Sequence, residues 1–386
     1  MVSVVDSADD DVARRVLGGL AQDRGAGALR GAVAIRRARY TYVQLDSWRD
    51  LLEASIFEIP GVRFSDLDEA EGRLAIGVDP AADQASRGAI TREVARLGIP
   101  SAAVTTVDAP ALKQAYSEDL AVDASFVQDG TLTGYQRPLR GGLGITFVVN
   151  GHLYGCTLGF IASFQGAYRL ASNSHCSVNY FNVDGQTYAQ GGYEIGSEWH
   201  DNGGVFDGYL YRVVPATAVY YRQSDSNLST SLDQYLEGFG TIARTKYPNG
   251  GPGDVTAGSS EIDPANPYFS ITAVESGVYV GDPVNKVGAR TGWTRGNVQR
   301  TCVTTAGAEN KSPNVVTRLK CQHYTNMVVR GGDSGSPVFR ITGPNTVTLY
   351  GLVWAATSDG AGSVYSGYRS IEEDEGAYYA GTLRTF

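Results

Sequence analysis

One short run near the carboxyl end constrains this chain more than any other segment. Residues 331–337 read GGDSGSP, so Ser334 lies between Asp333 and a glycine, with a proline close behind. Glycine adopts backbone conformations that other residues avoid, and proline restricts the chain, so the run predicts a sharp, uncrowded turn. Such a turn can hold the Ser334 hydroxyl outward while adjacent backbone N–H groups converge on one point. Acyl transfer through a serine requires that arrangement.

A serine nucleophile requires a base, and the chain has four histidines. His175 directly precedes Cys176, and Cys156 lies upstream. The residues between the two cysteines contain strand-like runs on either side of a turn, which is typical of a hairpin closed by a disulfide. His175 is therefore the candidate base. We interpret the other histidines as surface or hydrogen-bonded structural residues: His152, His200 and His323.

Both segments resemble a known family. The string GDSGSP differs from the GDSGGP of chymotrypsin-like serine proteases only at Ser336, and the residues from Cys156 to Cys176 resemble the CTLGF…TAGHC segment of the bacterial streptogrisin and α-lytic type. The match departs at Asn173–Ser174, where Ala-Gly is commoner. Further similar segments are Arg137–Gly142, Val287–Thr294 and Tyr350–Trp354. The resemblance covers about residues 135–386 and implies a mainly β fold of two six-stranded antiparallel β-barrels.

In that family the chain order is His, Asp, Ser, so the third residue should follow His175. Asp207 opens an alternating stretch, residues 207–214, of the kind expected for a half-buried strand. It also resembles the family segment in which the catalytic Asp begins a strand, and we prefer it to Asp201. The resemblance thus implies a triad of His175, Asp207 and Ser334, with an oxyanion hole formed by the backbone N–H groups of Gly332 and Ser334.

The residues beside the nucleophile suggest how the site is supported. Asp333 should be buried, and a buried carboxylate needs a partner. Bacterial relatives place an internal basic residue there, which matches Lys286, with Arg290 as the alternative. The segment before the nucleophile offers no acid for a basic substrate side chain, so we expect an apolar pocket that accepts bulky hydrophobic or aromatic residues. The predicted substrate-binding residues are Val328, Val329, Trp354 and Ala355.

The four cysteines allow three pairings, and we predict Cys156–Cys176 and Cys302–Cys321 because both are short-range within one barrel. Each closed loop of about 20 residues stabilises by on the order of 3 kcal/mol. The sequence has no CxxC and no suitably spaced His ligand, so we expect no metal and no other cofactor. Paired cysteines predict an oxidising compartment and a secreted protein, although the first residues lack the basic start and apolar core of a signal peptide.

The chain changes in character along its length. Residues 1–125 carry 34 charged residues and no cysteine, whereas the remaining 261 carry 39 charged residues, all the cysteines and twenty of the twenty-three tyrosines. This predicts three domains: residues 1–125, a first barrel over 126–250 with His175 and Asp207, and a second barrel over 251–386 with Ser334. The polar, turn-rich stretch Arg222–Pro267 is interpreted as containing the link between the barrels.

The first domain reads as α/β, with a helical pattern at Trp48–Glu53 and a strand at Arg73–Val78. Asp68–Leu74 resembles the pro-regions of α-lytic-type proteases, which in that family assist folding and block the active site until cleaved. The cut is expected between about Gln114 and Gly141. An unrelated α/β accessory domain is the alternative.

These features together imply a secreted serine endopeptidase, made as a zymogen, that hydrolyses protein or peptide substrates through an acyl-enzyme and is restrained by its own N-terminal domain. The alternative is a catalytically inactive binding protein with a protease fold. An α/β-hydrolase esterase is disfavoured because no histidine follows Ser334. The net charge of −9 argues against nucleic acid or an anionic membrane as a partner. No segment approaches the roughly 20 apolar residues that are needed to cross a bilayer. We expect a monomer.

Overall fold

The chain consists of two compact units, residues 1–109 and 110–386. The computed structural model describes residues 2–4, 11–12, 15, 35–115, 129–177, 179–201, 203, 205–206, 218–232, 238–252, 256–306, 315–377 and 383–386. The boundary predicted at residue 125 lies outside these ranges.

The first unit is a small α/β structure, as predicted. Its strands are β1 (Val2–Val4), β2 (Ile35–Arg37), β3 (Val62–Asp68), β4 (Arg73–Val78) and β5 (Val104–Asp108), and its helices are α1 (Tyr42–Glu53) and α2 (Gln84–Arg96). Strands β3 and β4 form an antiparallel hairpin, and β5 returns parallel to β4 after α2. Thr41 and Gln44 cap α1 reciprocally through a capping box. The unit has its own apolar core, which includes Leu52, Leu74 and Ile90.

The first sheet of the second unit has seven antiparallel strands. They are β7 (Gly144–Val149), β8 (His152–Thr157), β9 (Phe160–Phe164), β10 (Ala167–Ser172), β11 (Thr187–Gln190), β12 (Tyr193–His200) and β15 (Asn227–Thr230). They pair in the order β8-β7-β11-β12-β15-β10-β9. In β7 five of the six residues are buried and Val148 is exposed, so both faces of most of this strand are covered. Six strands were predicted for this barrel, and the sheet has seven.

The second sheet closes into a six-stranded antiparallel barrel, as predicted. Its strands are β18 (Pro283–Gly288), β19 (Gly292–Thr305), β21 (Gln322–Thr325), β22 (Pro337–Ile341), β23 (Thr346–Thr357) and β24 (Ser363–Gly367). The closed order is β18-β19-β21-β24-β23-β22, with β22 pairing back to β18. Closure satisfies the strand edges of this sheet.

Shorter elements complete the second unit. They are β6 (Leu112–Gln114), β13 (Val205–Phe206), β14 (Ala218–Arg222), β16 (Thr241–Ala243), β17 (Tyr268–Val274), β20 (Val315–Leu319) and the C-terminal helix α3 (Tyr368–Ala377). Helix α3 contacts β23 and β24 of the second sheet, and the ring of its Tyr368 lies 5.9 Å from that of Phe160 in the first sheet. None of the helices within the described ranges is long and apolar enough to cross a membrane.

Both predicted disulfides are confirmed. Cys156 of β8 bonds to Cys176, just beyond β10, and Cys302 of β19 bonds to Cys321, just before β21. The first of these bonds joins the two ends of the β9–β10 hairpin region that leads to His175. It therefore supports the segment on which that histidine lies.

Candidate active site

The run around Ser334 forms a tight turn directly before β22. Gly332 and Gly335 have φ angles of +103° and +86°, in the region that favours glycine. A Cβ atom on Gly335 would lie 2.1 Å from the carbonyl oxygen of Thr157, so any larger residue would collide with backbone. Ser336, which stands where the family string has glycine, donates its hydroxyl to the carbonyl oxygen of Asp333 at 2.6 Å. The substitution therefore fits within the turn.

This turn places Ser334 against His175, and a carboxylate lies on the other side of the imidazole. Nε2 of His175 is 2.6 Å from Oγ of Ser334, and Nδ1 of His175 is 2.6 Å from Oδ2 of Asp225. The backbone N–H of His175 donates to the other oxygen of the same carboxylate at 3.2 Å. All three side chains are buried. The arrangement is that of a nucleophile, a base and a group that orients the base.

Asp225, and not the predicted Asp207, is the carboxylate at Nδ1 of His175. Strand β15 pairs with β10 so that Asn227 lies opposite Ser172. Asp225 precedes β15 and His175 follows β10, so this pairing brings the two side chains together. Asp207 lies outside the described residues, as does the strand predicted over residues 207–214. Sequence reasoning missed Asp225 because it lies in a polar run that we interpreted as a linker.

Asp201, the second candidate for the triad, has different partners. Its carboxylate accepts from Oγ of Ser174 and from the guanidinium of Arg222, each at 2.7 Å. Burial raises the pKa of Asp201 to about 7, although Arg222 and Ser174 act in the opposite direction. Asn173 donates from its amide to the carbonyl oxygen of Asp225 at 2.6 Å. The two departures from the family sequence, Asn173 and Ser174, therefore connect the histidine segment to the acidic residues around it.

Asp333 is buried and fully partnered. It accepts hydrogen bonds from the backbone N–H groups of Arg290, Thr291 and Arg330, each at 3.0 Å, and its Oδ2 lies 3.2 Å from Nζ of Lys286. Burial lowers the pKa of Lys286, and Asp333 raises it. The structure thus brings Lys286 to the predicted position, while Arg290 contributes its backbone rather than its charge. This ion pair holds the residue next to Ser334.

A segment of the chain itself occupies the predicted oxyanion hole. The carbonyl oxygen of Ala115 accepts from the backbone N–H of Gly332 at 2.5 Å and from that of Ser334 at 3.0 Å. In turn, the N–H of Ala115 donates to the carbonyl oxygen of Trp354 at 3.1 Å. Both predicted donors therefore converge on one carbonyl oxygen beside the Ser334 hydroxyl.

The residues before Ala115 lie in an extended groove along β23. Strand β6 pairs antiparallel with β23, so that Gln114 is opposite Ala355 and Lys113 is opposite Ala356. Ala115 is only 1% exposed and belongs to an apolar cluster that also contains Met327 and Val329. Of the predicted substrate-binding residues, the structure places Trp354 and Ala355 along this segment and Val329 in its cluster. Val328 is half-buried, and its carbonyl oxygen accepts from Thr294 at 3.0 Å.

The remaining histidines lie apart from this arrangement. His152 is exposed, His200 pairs with Glu375, and burial lowers the pKa of His323 to about 4. Within the described residues, one group combines metal-ligand residue types at short range, namely Cys156, His175 and Cys176. Its two sulfur atoms form a disulfide, so they are not thiolate ligands.

No family model matches this chain, and no curated protein matches it. Several solved structures match the chain in fold. A Nocardiopsis protease, NAPase, is 18% identical and matches 64% of this chain and 98% of its own length, with a TM-score of 0.41. Thermobifida fusca protease A is also 18% identical, over 64% of this chain and 98% of its own, with a TM-score of 0.42. A glutamic acid specific serine protease is 17% identical, over 64% of this chain and all of its own, with a TM-score of 0.42.

The chain is similar in fold to bacterial chymotrypsin-like serine proteases. These likenesses concern the path of the backbone. What the chain does chemically is argued below from its own residues.

Proposed function

We propose that this chain is a serine endopeptidase that works through an acyl-enzyme. The observation that carries the proposal is the line Ser334–His175–Asp225, with two backbone N–H groups pointing at one carbonyl oxygen next to the serine. A binding protein with this fold would have no need for a buried base aligned between a hydroxyl and a carboxylate. The inactive alternative is therefore not favoured.

The geometry supports the following steps. Oγ of Ser334 attacks the substrate carbonyl carbon, and His175 takes the hydroxyl proton at Nε2. The carbonyl oxygen gains negative charge, which the N–H groups of Gly332 and Ser334 stabilise. The C–N bond then breaks as His175 returns the proton to the departing amine. A water molecule attacks the acyl-enzyme in the same way, with its proton passing to His175 and then to Oγ of Ser334.

Asp225 acts on the base rather than on the substrate. Its carboxylate accepts a hydrogen bond from the Nδ1–H group, which leaves Nε2 as the acceptor that faces Ser334, and it stabilises the imidazolium that forms. Ser366 holds the Asp225 backbone by accepting from its N–H at 3.0 Å. The base is thereby kept in one tautomer and one orientation.

The segment Leu112–Ala115 supports a zymogen. It lies where an extended peptide substrate would lie, with Ala115 on the acyl side of the bond that would be cut. The adjacent bond, Ala115–Tyr116, falls within the predicted interval for cleavage. We infer that the enzyme cuts its own chain here, that the preceding residues then act as an inhibitor, and that the pocket prefers a small apolar residue. This inference differs from the expected preference for bulky residues, because the residue at the proposed cut is an alanine and it lies in an apolar cluster with Met327 and Val329.

Two disulfides support secretion, since such bonds persist in oxidising compartments. Protein and peptide substrates are therefore proposed to be extracellular. A monomer remains the expected state.

The first prediction concerns the nucleophile. A fluorophosphonate probe should label the processed wild-type protein, and casein should be cleaved. Ser334→Ala should abolish both, because the labelled and attacking atom is lost. Ser260→Ala, at an exposed serine, is the matched control and should behave as wild type. Labelling that persists in Ser334→Ala would refute the proposed nucleophile.

The second prediction concerns self-cleavage. Incubation of the full chain should give one fragment that ends at Ala115 and one that begins at Tyr116, identified by mass spectrometry. Ala115→Asp should prevent this cut because burial of a charge is costly. Ala115→Phe should slow it about tenfold or more if the pocket is small.

Lys113→Ala is the control for this experiment, because Lys113 is exposed on the same segment, and it should leave the cut unchanged. Ser334→Ala should leave the chain intact. An unaltered rate of cutting at this bond in Ala115→Asp would contradict the assignment of the segment as a substrate.

A further inference from the structure

The loop that carries Asp225 is bound to the C-terminal helix by two buried carboxylates. Asp374 of α3 accepts from the backbone N–H of Ser224 at 2.7 Å and from the Ser224 hydroxyl at 2.7 Å. It also accepts from the backbone N–H of Gln223 at 3.2 Å. Glu375 accepts from the hydroxyl of Ser226 at 2.7 Å. Both neighbours of Asp225 in the chain are therefore held by adjacent residues of one helix.

Arg222 supplies positive charge to these carboxylates. Its guanidinium donates to Asp201 at 2.7 Å and to the carbonyl oxygen of Ser226 at 3.0 Å, and it lies 3.6 Å from Asp374 and 3.9 Å from Glu375. The Arg222 side chain is fully buried. His200 also pairs with Glu375 through Nδ1.

Burial of so many charged groups is expensive, and hydrophobic packing would stabilise a core of this size equally well. The ionic groups instead form hydrogen bonds of defined direction, which hold the loop in one orientation. Consecutive backbone N–H groups of the loop have no strand partner at this point, and Asp374 accepts two of them. The hydroxyls of Ser224 and Ser226 lie 2.8 Å apart and join the two carboxylates into one network around the loop.

We propose that Asp374 and Glu375 are positioning residues, which hold Asp225 at the distance and angle that His175 requires. The proposal rests on the proposed serine protease function. The hydrogen bonds of Asp374 and Glu375 given above reach the loop on both sides of Asp225. On this proposal their effect on catalysis passes through Asp225.

A change at Asp374 should therefore affect the chemical step. Asn in its place keeps one acceptor oxygen but directs an NH₂ group at donors, so the loop should shift. A displacement of about 1 Å in a catalytic group can cost on the order of 100-fold in rate. We expect Asp374→Asn to lower kcat by about 10- to 100-fold with KM nearly unchanged, because the groove along β23 is not altered.

A double-mutant cycle separates positioning from general destabilisation. Asp374→Asn is measured in the wild-type background and in Asp225→Asn, on processed enzyme, with a peptide that ends in alanine on the acyl side. If Asp374 acts through Asp225, the loss of kcat in the Asp225→Asn background should be less than about twofold. An equal loss in both backgrounds would overturn the proposal. Glu373→Gln, an exposed residue on the same helix, is the matched control and should leave kcat unchanged.

A second measurement does not require activity. In the Ser334→Ala protein, the proton on Nδ1 of His175 should give a downfield NMR signal because it is bonded to Asp225, and Asp374→Asn should shift or remove it. A signal unchanged by Asp374→Asn would overturn the proposal. If Asp374→Asn does not fold, Glu375→Gln and Ser224→Ala are tested in the same two ways. Absence of hydrolysis in the wild type would refute the proposed function, whereas an active wild type without coupling would refute only this inference.

Discussion

Single buried residues stabilise the turn that carries Ser334, and Lys286 is the clearest case. Its ammonium group is buried beside Asp333, and it also contacts Thr291 and donates to the carbonyl oxygen of Gly292 at 3.2 Å. Removal of one partner from a buried pair leaves an uncompensated charge, which typically costs about 3–5 kcal/mol. Lys286→Met should therefore lower the free energy of unfolding by about that amount.

Urea unfolding in the Ser334→Ala background measures this effect without self-cleavage. Lys246→Met is the matched control, because Lys246 pairs with Glu261 at the surface and both side chains are about half-exposed. It should change unfolding little, since exposed ion pairs are weak. Equal effects of the two substitutions would show that the buried pair has no special role.

Among single residues, the sequence predicted those whose candidate role is indicated by residues next to them in the chain. Ser334, Gly332 and Asp333 belong to one turn, and glycine and proline mark turns reliably. His175 was found because Cys176 stands next to it. Asp225 could not be found in this way, because its position depends on a strand pairing between distant segments. A run of serines, asparagine and aspartate also reads as solvated, although here the chain buries it.

At the scale of elements, two pairings build the site. Strands β10 and β15 bring His175 and Asp225 together, while β6 on β23 places the carbonyl oxygen of Ala115 against the backbone N–H groups of Gly332 and Ser334. The helical pattern at Trp48–Glu53 and the strand at Arg73–Val78 were predicted from the local sequence and are confirmed, although the helix begins earlier, at Tyr42. The pairing of β6 was not predicted, because Leu112–Gln114 is short and gains its extended form from β23. A strand of three residues has too little pattern to be recognised alone.

Helix α3 illustrates a second limit of the sequence. Its acidic run, residues 372–375, reads as a solvated surface, yet only part of it is exposed. Glu373 faces solvent, whereas Asp374 and Glu375 are buried against the Asp225 loop. The two buried acidic residues face Arg222, which is far away in sequence. Sequence reasoning therefore gave no role to this helix.

At the scale of the whole molecule, buried carboxyls should make stability depend on pH. Burial, together with the charge of Asp201, raises the pKa of Glu198 from 4.5 to about 9, and burial raises that of Asp201 from 3.8 to about 7. Both groups hold protons more tightly in the folded chain than in the unfolded one. The free energy of unfolding should consequently fall as pH rises from about 4 towards 9, by up to about 1.4 kcal/mol per pH unit for each carboxyl.

Glu198→Gln tests this directly, because the amide stays neutral. The substitution should abolish the decline between about pH 7 and 9 and should make the decline between about pH 4.5 and 7 shallower. The Asp201 part, between about pH 4 and 7, should remain. Glu194→Gln is the control, since Glu194 is exposed on the same strand and should leave the whole profile unchanged. Urea unfolding of the Ser334→Ala protein at pH 5, 7 and 9 gives the measurement. A wild-type stability that stays level between pH 7 and 9 would contradict this prediction, because it would mean that Glu198 is already ionised in the folded chain over that range.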